Sequence, residues 1–347
     1  MAYGGGTWTE QNKPLPGSYI NFVKASDLAL NNNGRGVVAI PYALNKEAGA
    51  VIEITAQEFD TDATTILGFA KDTESAKPFR EIFKHATKCI IYDLGENKTA
   101  TQAVNALEPY EFNILAVYTE TAADVSTYIT AVETWRDAGI KRQAVVYNAT
   151  APDHEGVINV CTTVIKPTGS TIPDHALVAW VAGAEAGCAI NASVSNMIYD
   201  GEYTVDTSIT QTELVSARAA GKFVFHLVYG DARVFEDINS LTTFTTKSEE
   251  LKYNQTIRVI DGIANDIAKT FNTKYIGQIP NNAAGRASFW ADVEKYMRNL
   301  ETLSAIEPFD SSTLTVERGE SRKAIVVNME VTCINALEQL YLTCVVN

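Results

Sequence analysis

The stretch NILAVYTETAADVSTYITAVETWRDAGIKRQAVVY, residues 113–147, decides the fold. Its opening NILAVY (113–118) is an apolar run of strand length, and QAVVY (143–147) is a second. Between them, Val125, Tyr128, Val132 and Trp135 recur at helical spacing, which predicts a helix over 121–138 with one apolar face. Gly139 follows, a residue type favoured just past a helix end. A helix that carries the chain back between two strands lets the second strand run parallel to the first.

The same rhythm extends outward. A helix is expected over Thr99–Leu107 before this stretch, and a strand over Gly156–Val160 after it. Alternation continues through Pro173–Ile190, Thr210–Ala220 and Lys222–Tyr229, the pattern of a mainly parallel sheet covered by helices. Upstream, Asn31–Gly36 reads as a turn and Val37–Tyr42 as a buried strand. VIEITAQEF (51–59) alternates as a further strand, Asp62–Phe69 and Ser75–His85 read as helices, and Lys88–Tyr92 as a strand. Residues 24–93 are therefore expected to form a small α+β unit, followed by an α/β core over 94–245.

The last third changes character. Ile260, Ile263, Ile267 and Phe271 make the stripe of a long helix over Leu251–Phe271. A second, over Ala284–Leu303, carries Phe289, Val293, Tyr296, Leu300 and Leu303. Lys323–Cys333 alternates as a strand, and LYLTCVV (340–346) reads as another. The expected divisions are a C-terminal α+β unit over 246–333 and a strand arm over 334–347. An N-terminal arm spans 1–23, where Pro14, Pro16 and Gly17 precede the short alternating strand SYINF. A strand on such a lead needs a partner, and the residues leave open a frayed end or a strand donated to another copy.

Composition narrows the class. Apolar residues make up 46% of the 347 and charged residues 20%, the balance of a soluble globular protein with more than one core. A formal charge of −14 argues against direct contact with nucleic acid. MAYGGGTWTE lacks a signal-peptide pattern, and the longest apolar stretch, 176–190, is too short for a membrane span. Five widely spaced cysteines (89, 161, 188, 333, 344) are expected to be buried reduced thiols of a protein made in a cytoplasm.

Chemical motifs are not found. Gly4–Gly6 and Gly34–Gly36 precede no helix, so neither makes a phosphate loop. AGAEAG (182–187) sits inside a helical run and reads as close packing against a neighbour. His85, His154, His175 and His226 show no metal spacing, and no nucleophile elbow is present. Asp231, Glu236 and Asp237 are the one candidate set of paired carboxylates. No cofactor, metal or catalytic residue is assigned. An α/β enzyme with an unrecognised site and a secreted surface-layer or adhesive protein stay open as alternatives.

Several phrases, taken in order, resemble the tail sheath proteins of contractile bacteriophage tails and R-type bacteriocins. They are GGGTWTEQNKPLPGSYINF, GRGVVAIP, AGAEAGCAINASVSNMIYDGE, DINSLTTFT, NQTIRVIDGIANDIAKTFNTKYIGQIPNNAAGRASFWADV, AIVVNMEV and LYLTCVV. The resemblance runs nearly end to end and rests on joint order rather than on any one motif. It implies a structural subunit that polymerises with copies of itself as stacked hexameric rings around an inner tail tube. Baseplate and tail terminator proteins would bound the sleeve, which contracts to drive the tube through a bacterial envelope. It also implies that both arms add strands to neighbouring subunits, with Trp8, Tyr19, Ile20, Phe22, Tyr341, Leu342 and Val345 as the interface residues. The site of action would be a virion tail or tail-like particle assembled in the host cytoplasm, without nucleic-acid contact or membrane insertion.

Overall fold

The computed structural model describes residues 35–346, together with the backbone of Gly5–Gly6 and Ser18–Tyr19, which pair in parallel. The expected arm residues Trp8, Ile20 and Phe22, and the side chain of Tyr19, lie outside the described residues.

Apolar runs build the centre. Strands β1 (Val37–Tyr42), β2 (Val51–Thr55), β3 (Lys88–Asp93), β4 (Ile114–Ala116), β5 (Gln143–Tyr147), β6 (Val157–Val160) and β7 (Lys222–Phe223) form one sheet. Their order is β2-β3-β1-β4-β5-β6-β7, parallel except for the antiparallel edge strand β2. Strand alternation sends Val38, Ile40, Ile91 and Val145 to one face and Ala39, Ile90, Leu115 and Ala144 to the other. Helices α1 (Ala56–Leu67), α2 (Lys77–Ile82) and α5 (Leu177–Gly187) cover the first face. Helices α3 (Ala100–Leu107) and α4 (Ala122–Asp137) cover the second, where Val125, Tyr128, Val132 and Trp135 are buried as their spacing predicts. The result is a three-layer α/β sandwich. The expected boundary at residue 94 falls within this sheet, since strands on either side of it pair.

Three readings are corrected. The strand expected over 51–59 stops at Thr55, whose hydroxyl accepts from the Glu58 N–H while the Glu58 carboxylate accepts from the Thr55 N–H. That capping box starts α1, so AQEF (56–59) belongs to a helix. The strand over 222–229 divides into β7 and β8 (Phe225–Val228), and β8 pairs with β9 (Asp231–Val234) in a hairpin that the sequence reading missed. Residues 340–346 hold no strand, because no described strand lies beside them to pair with. The cysteine expectation also changes: Cys89 is buried, but Cys344 is exposed.

Small residues let α5 sit deep. A methyl group on Gly183 would lie 2.4 Å from the Ile82 carbonyl oxygen, and one on Gly187 would lie 2.1 Å from that of His85. Close packing is thus what the AGAEAG run provides, as its sequence suggests.

Helix α6 (Gln211–Ala219) leads into β7; past the sheet, helices α7 (Asn254–Lys274) and α8 (Ala283–Thr302) precede a hairpin of β10 (Thr315–Arg318) and β11 (Ile325–Asn328). Val259, Ile263, Phe289, Val293, Met297 and Leu300 form the core of this C-terminal unit. Buried charge joins it to the sandwich. Arg258 of α7 donates to Glu185 of α5 at 2.7 Å, to Asp237 at 3.3 Å and to the Ala192 carbonyl. Asp261, one turn on, receives both arms of the Arg136 guanidinium of α4 at 2.6 and 2.9 Å. Burial and the neighbouring Asp237 hold Glu185 well above the usual carboxylate range. Burial opposes ionisation of Asp237 too, but Arg258 and the Val194 N–H hold it below its ordinary value.

Asp93, at the end of β3, fixes the β1–β2 loop. Its two oxygens accept from the N–H groups of Leu44, Asn45, Lys46, Glu47 and Gly95 at 2.8–3.1 Å. Burial works against its charge, yet these donors hold the carboxyl below its usual range.

Two outcomes follow from this geometry. Asp93→Asn puts an amide donor against N–H donors and should destabilise the fold by about 2–4 kcal/mol at neutral pH. Because the native pKa is depressed, the wild-type advantage is present above the ordinary carboxylate range and fades as pH falls through the native value. Urea melts at several pH values read this, and a pH-independent difference would contradict it. Arg258→Leu strands buried carboxylates and should cost about 3–5 kcal/mol, much of it recovered when Glu185 and Asp237 are also replaced by Leu. An unchanged urea midpoint for the single variant would remove the clasp from the account of stability.

Candidate assembly surface

The C-terminal segment leaves its own fold. Up to Glu338 it is anchored: Cys333 bridges to Ile306, and the Ile334 N–H donates to the Ala305 carbonyl at 3.1 Å. Gln255 of α7 holds both the Ile334 carbonyl and the Ala336 N–H, at 3.1 and 2.9 Å. Thr256 donates to Asn335 at 3.1 Å, and Ser195 to Glu338 at 2.6 Å. Beyond this root the apolar side chains face solvent. Leu340, Tyr341, Leu342 and Val345 are 80–88% exposed, and Leu337 and Val346 are at least as open. One exposed leucine needs no explanation, but a contiguous apolar run does.

The β10–β11 hairpin offers the complementary feature. Ile325 and Val327 point down onto the α7–α8 core, and Val326 points out. Among the described residues neither strand has a second neighbour in its sheet, so each has an edge of backbone donors and acceptors open to pairing. Beside the hairpin lies a cavity of about 620 Å³ walled by Phe271, Tyr275, Ile279 and Phe289, with Arg286 and Arg322 among its lining residues. A third exposed element is the β8–β9 turn, where Leu227 and Tyr229 project outward.

The candidate carboxylates do not converge. Asp231 lies in the exposed β8–β9 turn with Arg233 at 3.1 Å, Glu236 pairs with Arg218 at 2.7 Å, and Asp237 belongs to the Arg258 clasp. His226 is half-buried against Phe235. Among the described residues no cluster of His, Cys, Asp or Glu is arranged to hold a metal, and no helix is long and apolar enough to cross a membrane. Of the expected interface residues, Tyr341, Leu342 and Val345 are exposed together, while those of the N-terminal arm lie outside the described residues. The sequence reading missed β10 and the exposed Leu337; the alternation of Thr315-Val316-Glu317-Arg318 is too short a signal to separate from a loop.

Residues 95–240 match the phage tail sheath protein central domain, and residues 246–347 match the phage tail sheath C-terminal domain. The phage-like element PBSX protein XkdK of Bacillus subtilis is 30% identical over 263 residues, covering 72% of this chain and 56% of its own. The tail sheath protein of Clostridium phage phiCD119 is 27% identical over 257 residues, covering 72% of this chain and 67% of its own. The chain thus spans little more than half the length of the Bacillus relative. Among solved structures, the sheath tail protein from Desulfitobacterium hafniense superposes with a TM-score of 0.78 at 25% identity, over 94% of this chain and 99% of that one. The contracted helical sheath of the anti-feeding prophage shares the fold, with a TM-score of 0.72 at 14% identity, over 96% and 99%. The resemblance read from the ordered sequence phrases is borne out, and the chain belongs to the contractile tail sheath family.

Proposed function

We propose that this chain is the subunit of a contractile tail sheath. Copies polymerise helically, as stacked hexameric rings, around an inner tail tube, and the sleeve shortens to drive that tube through a bacterial envelope. The observation that carries the reading is a sheath fold over both matched domains with an apolar C-terminal segment that its own subunit does not cover. In this reading residues 1–23 and 334–347 are arms exchanged between copies, with Trp8, Tyr19, Ile20, Phe22, Tyr341, Leu342 and Val345 at the joints. Residues 37–93 and 94–245, joined by the one central sheet, are the sheath core, and residues 246–333 are the C-terminal unit. The role is structural, without a catalytic step or cofactor. Partners are other copies, the tube protein, and the baseplate and terminator proteins; the place of action is a virion tail or tail-like particle assembled in a bacterial cytoplasm.

An open hairpin edge beside a core of apolar residues suits a donated strand, whose main-chain bonds give affinity and whose alternate side chains give register. The −14 charge opposes nonspecific association while leaving such directed pairing available.

Electron microscopy of the purified chain should show tubes or rings. Leu340→Asp with Leu342→Asp should leave the thermal midpoint unchanged, because both side chains are solvent-exposed in the single chain, and should abolish those polymers. Polymers that persist in this variant would remove the C-terminal arm from the mechanism. Deletion of residues 1–23 should likewise give a folded, monomeric species by sedimentation; normal assembly would exclude the N-terminal arm as a joint.

A further inference from the structure

The order of the central sheet creates a crevice apart from the candidate assembly surface. From β1 the chain moves to one side, reaching β3 through β2, and then returns across β1 to β4 and onward to β5. Connections therefore leave β1 and β4 in opposite directions, and the loops at their carboxyl ends part. In open α/β sheets this switch point is where small ligands bind. Here it holds a cavity of about 340 Å³ lined by Tyr42 and Ala43 after β1, Leu94 after β3, and Tyr118 after β4. The Asp93 carboxylate, bonded to five N–H groups, fixes the β1–β2 loop that supplies one wall.

Three polar groups line this cavity. Tyr128 of α4 is only 3% exposed, and its side chain makes no hydrogen bond among the described residues. Asp124, one turn earlier on α4, and Lys98, ahead of α3, line the same cavity, and among the described residues neither forms an ion pair. Opposite charges in one crevice that do not reach each other leave room for a molecule that joins them. The rings of Tyr42 and Tyr118, with centroids 6.0 Å apart, add an aromatic wall.

We propose that this cavity binds a small zwitterion of the α-amino-acid type with an apolar or aromatic side chain. Its carboxylate meets the Lys98 ammonium and its ammonium meets Asp124. The Tyr128 hydroxyl supplies the remaining hydrogen bond, and the side chain lies against Tyr42 and Tyr118. Saturation-transfer NMR on the full chain tests this, with L-phenylalanine as the probe. Transfer to the probe is expected with the wild type and should be lost in Lys98→Met and in Asp124→Asn, with the thermal midpoint of each unchanged. Tyr128→Phe should weaken it several-fold. Hydrocinnamate, which lacks the ammonium, and phenethylamine, which lacks the carboxylate, should each give far less transfer. No transfer to wild type, equal transfer in all variants, or equal transfer to the two half-charged analogues would each overturn the assignment.

Discussion

Arg258 is the side chain on which the two halves of this molecule depend. It is 2% exposed, sits on α7, and reaches across to Glu185 of α5 and to Asp237. A guanidinium cannot be left neutral in a protein interior, so its burial is tolerable only while carboxylates from the sandwich stand opposite it. Asp261 repeats the arrangement with the charges exchanged, receiving Arg136 from α4. Two charge pairs one turn apart on one helix allow a single register.

That register also places the arm. Gln255 and Thr256, which hold residues 334–336, lie in the turn of α7 just before Arg258. On the proposed reading, a pull on the C-terminal segment would enter the fold at this turn and pass through Arg258 and Glu185 to α5. From there it would reach the end of α2 and the turn after it through contacts so close that Gly183 and Gly187 admit no side chain. The path runs through buried ion pairs and backbone contact rather than through flexible loops.

Much of this was legible in the sequence, and the parts that were not share a cause. The strand and helix of 113–147, the stripe of α4 and the long C-terminal helices follow from local periodicity, because packing against a sheet or helix imposes that periodicity. The capping box at Thr55 was also local, but the alternation of VIEITAQEF masked it. Glu185 was read as part of a small-residue packing run, since its partner Arg258 is 73 residues away and no local pattern joins them. The joining of residues 37–93 to the central sheet was invisible for the same reason, as strand order is set by pairings across the whole chain. The pattern of LYLTCVV is that of a strand, but pattern does not say whose sheet completes it.

The exposed arm follows a consistent energetic logic. Burying Leu340, Leu342 or Val345 against a neighbour would contribute roughly 2 kcal/mol each. Main-chain bonds of a donated strand add about 1 kcal/mol apiece, while ordering the segment costs about 1–2 kcal/mol per residue. Gain and cost nearly cancel, so one arm on one neighbour makes a weak joint, and a dilute subunit carrying a net charge of −14 gains little by pairing. In the proposed ring each subunit would be held by several such joints, and losing one would not release it. Growth then needs a nucleus that brings subunits together before their arms can hold them, which suits a polymer that must form in one place and not elsewhere.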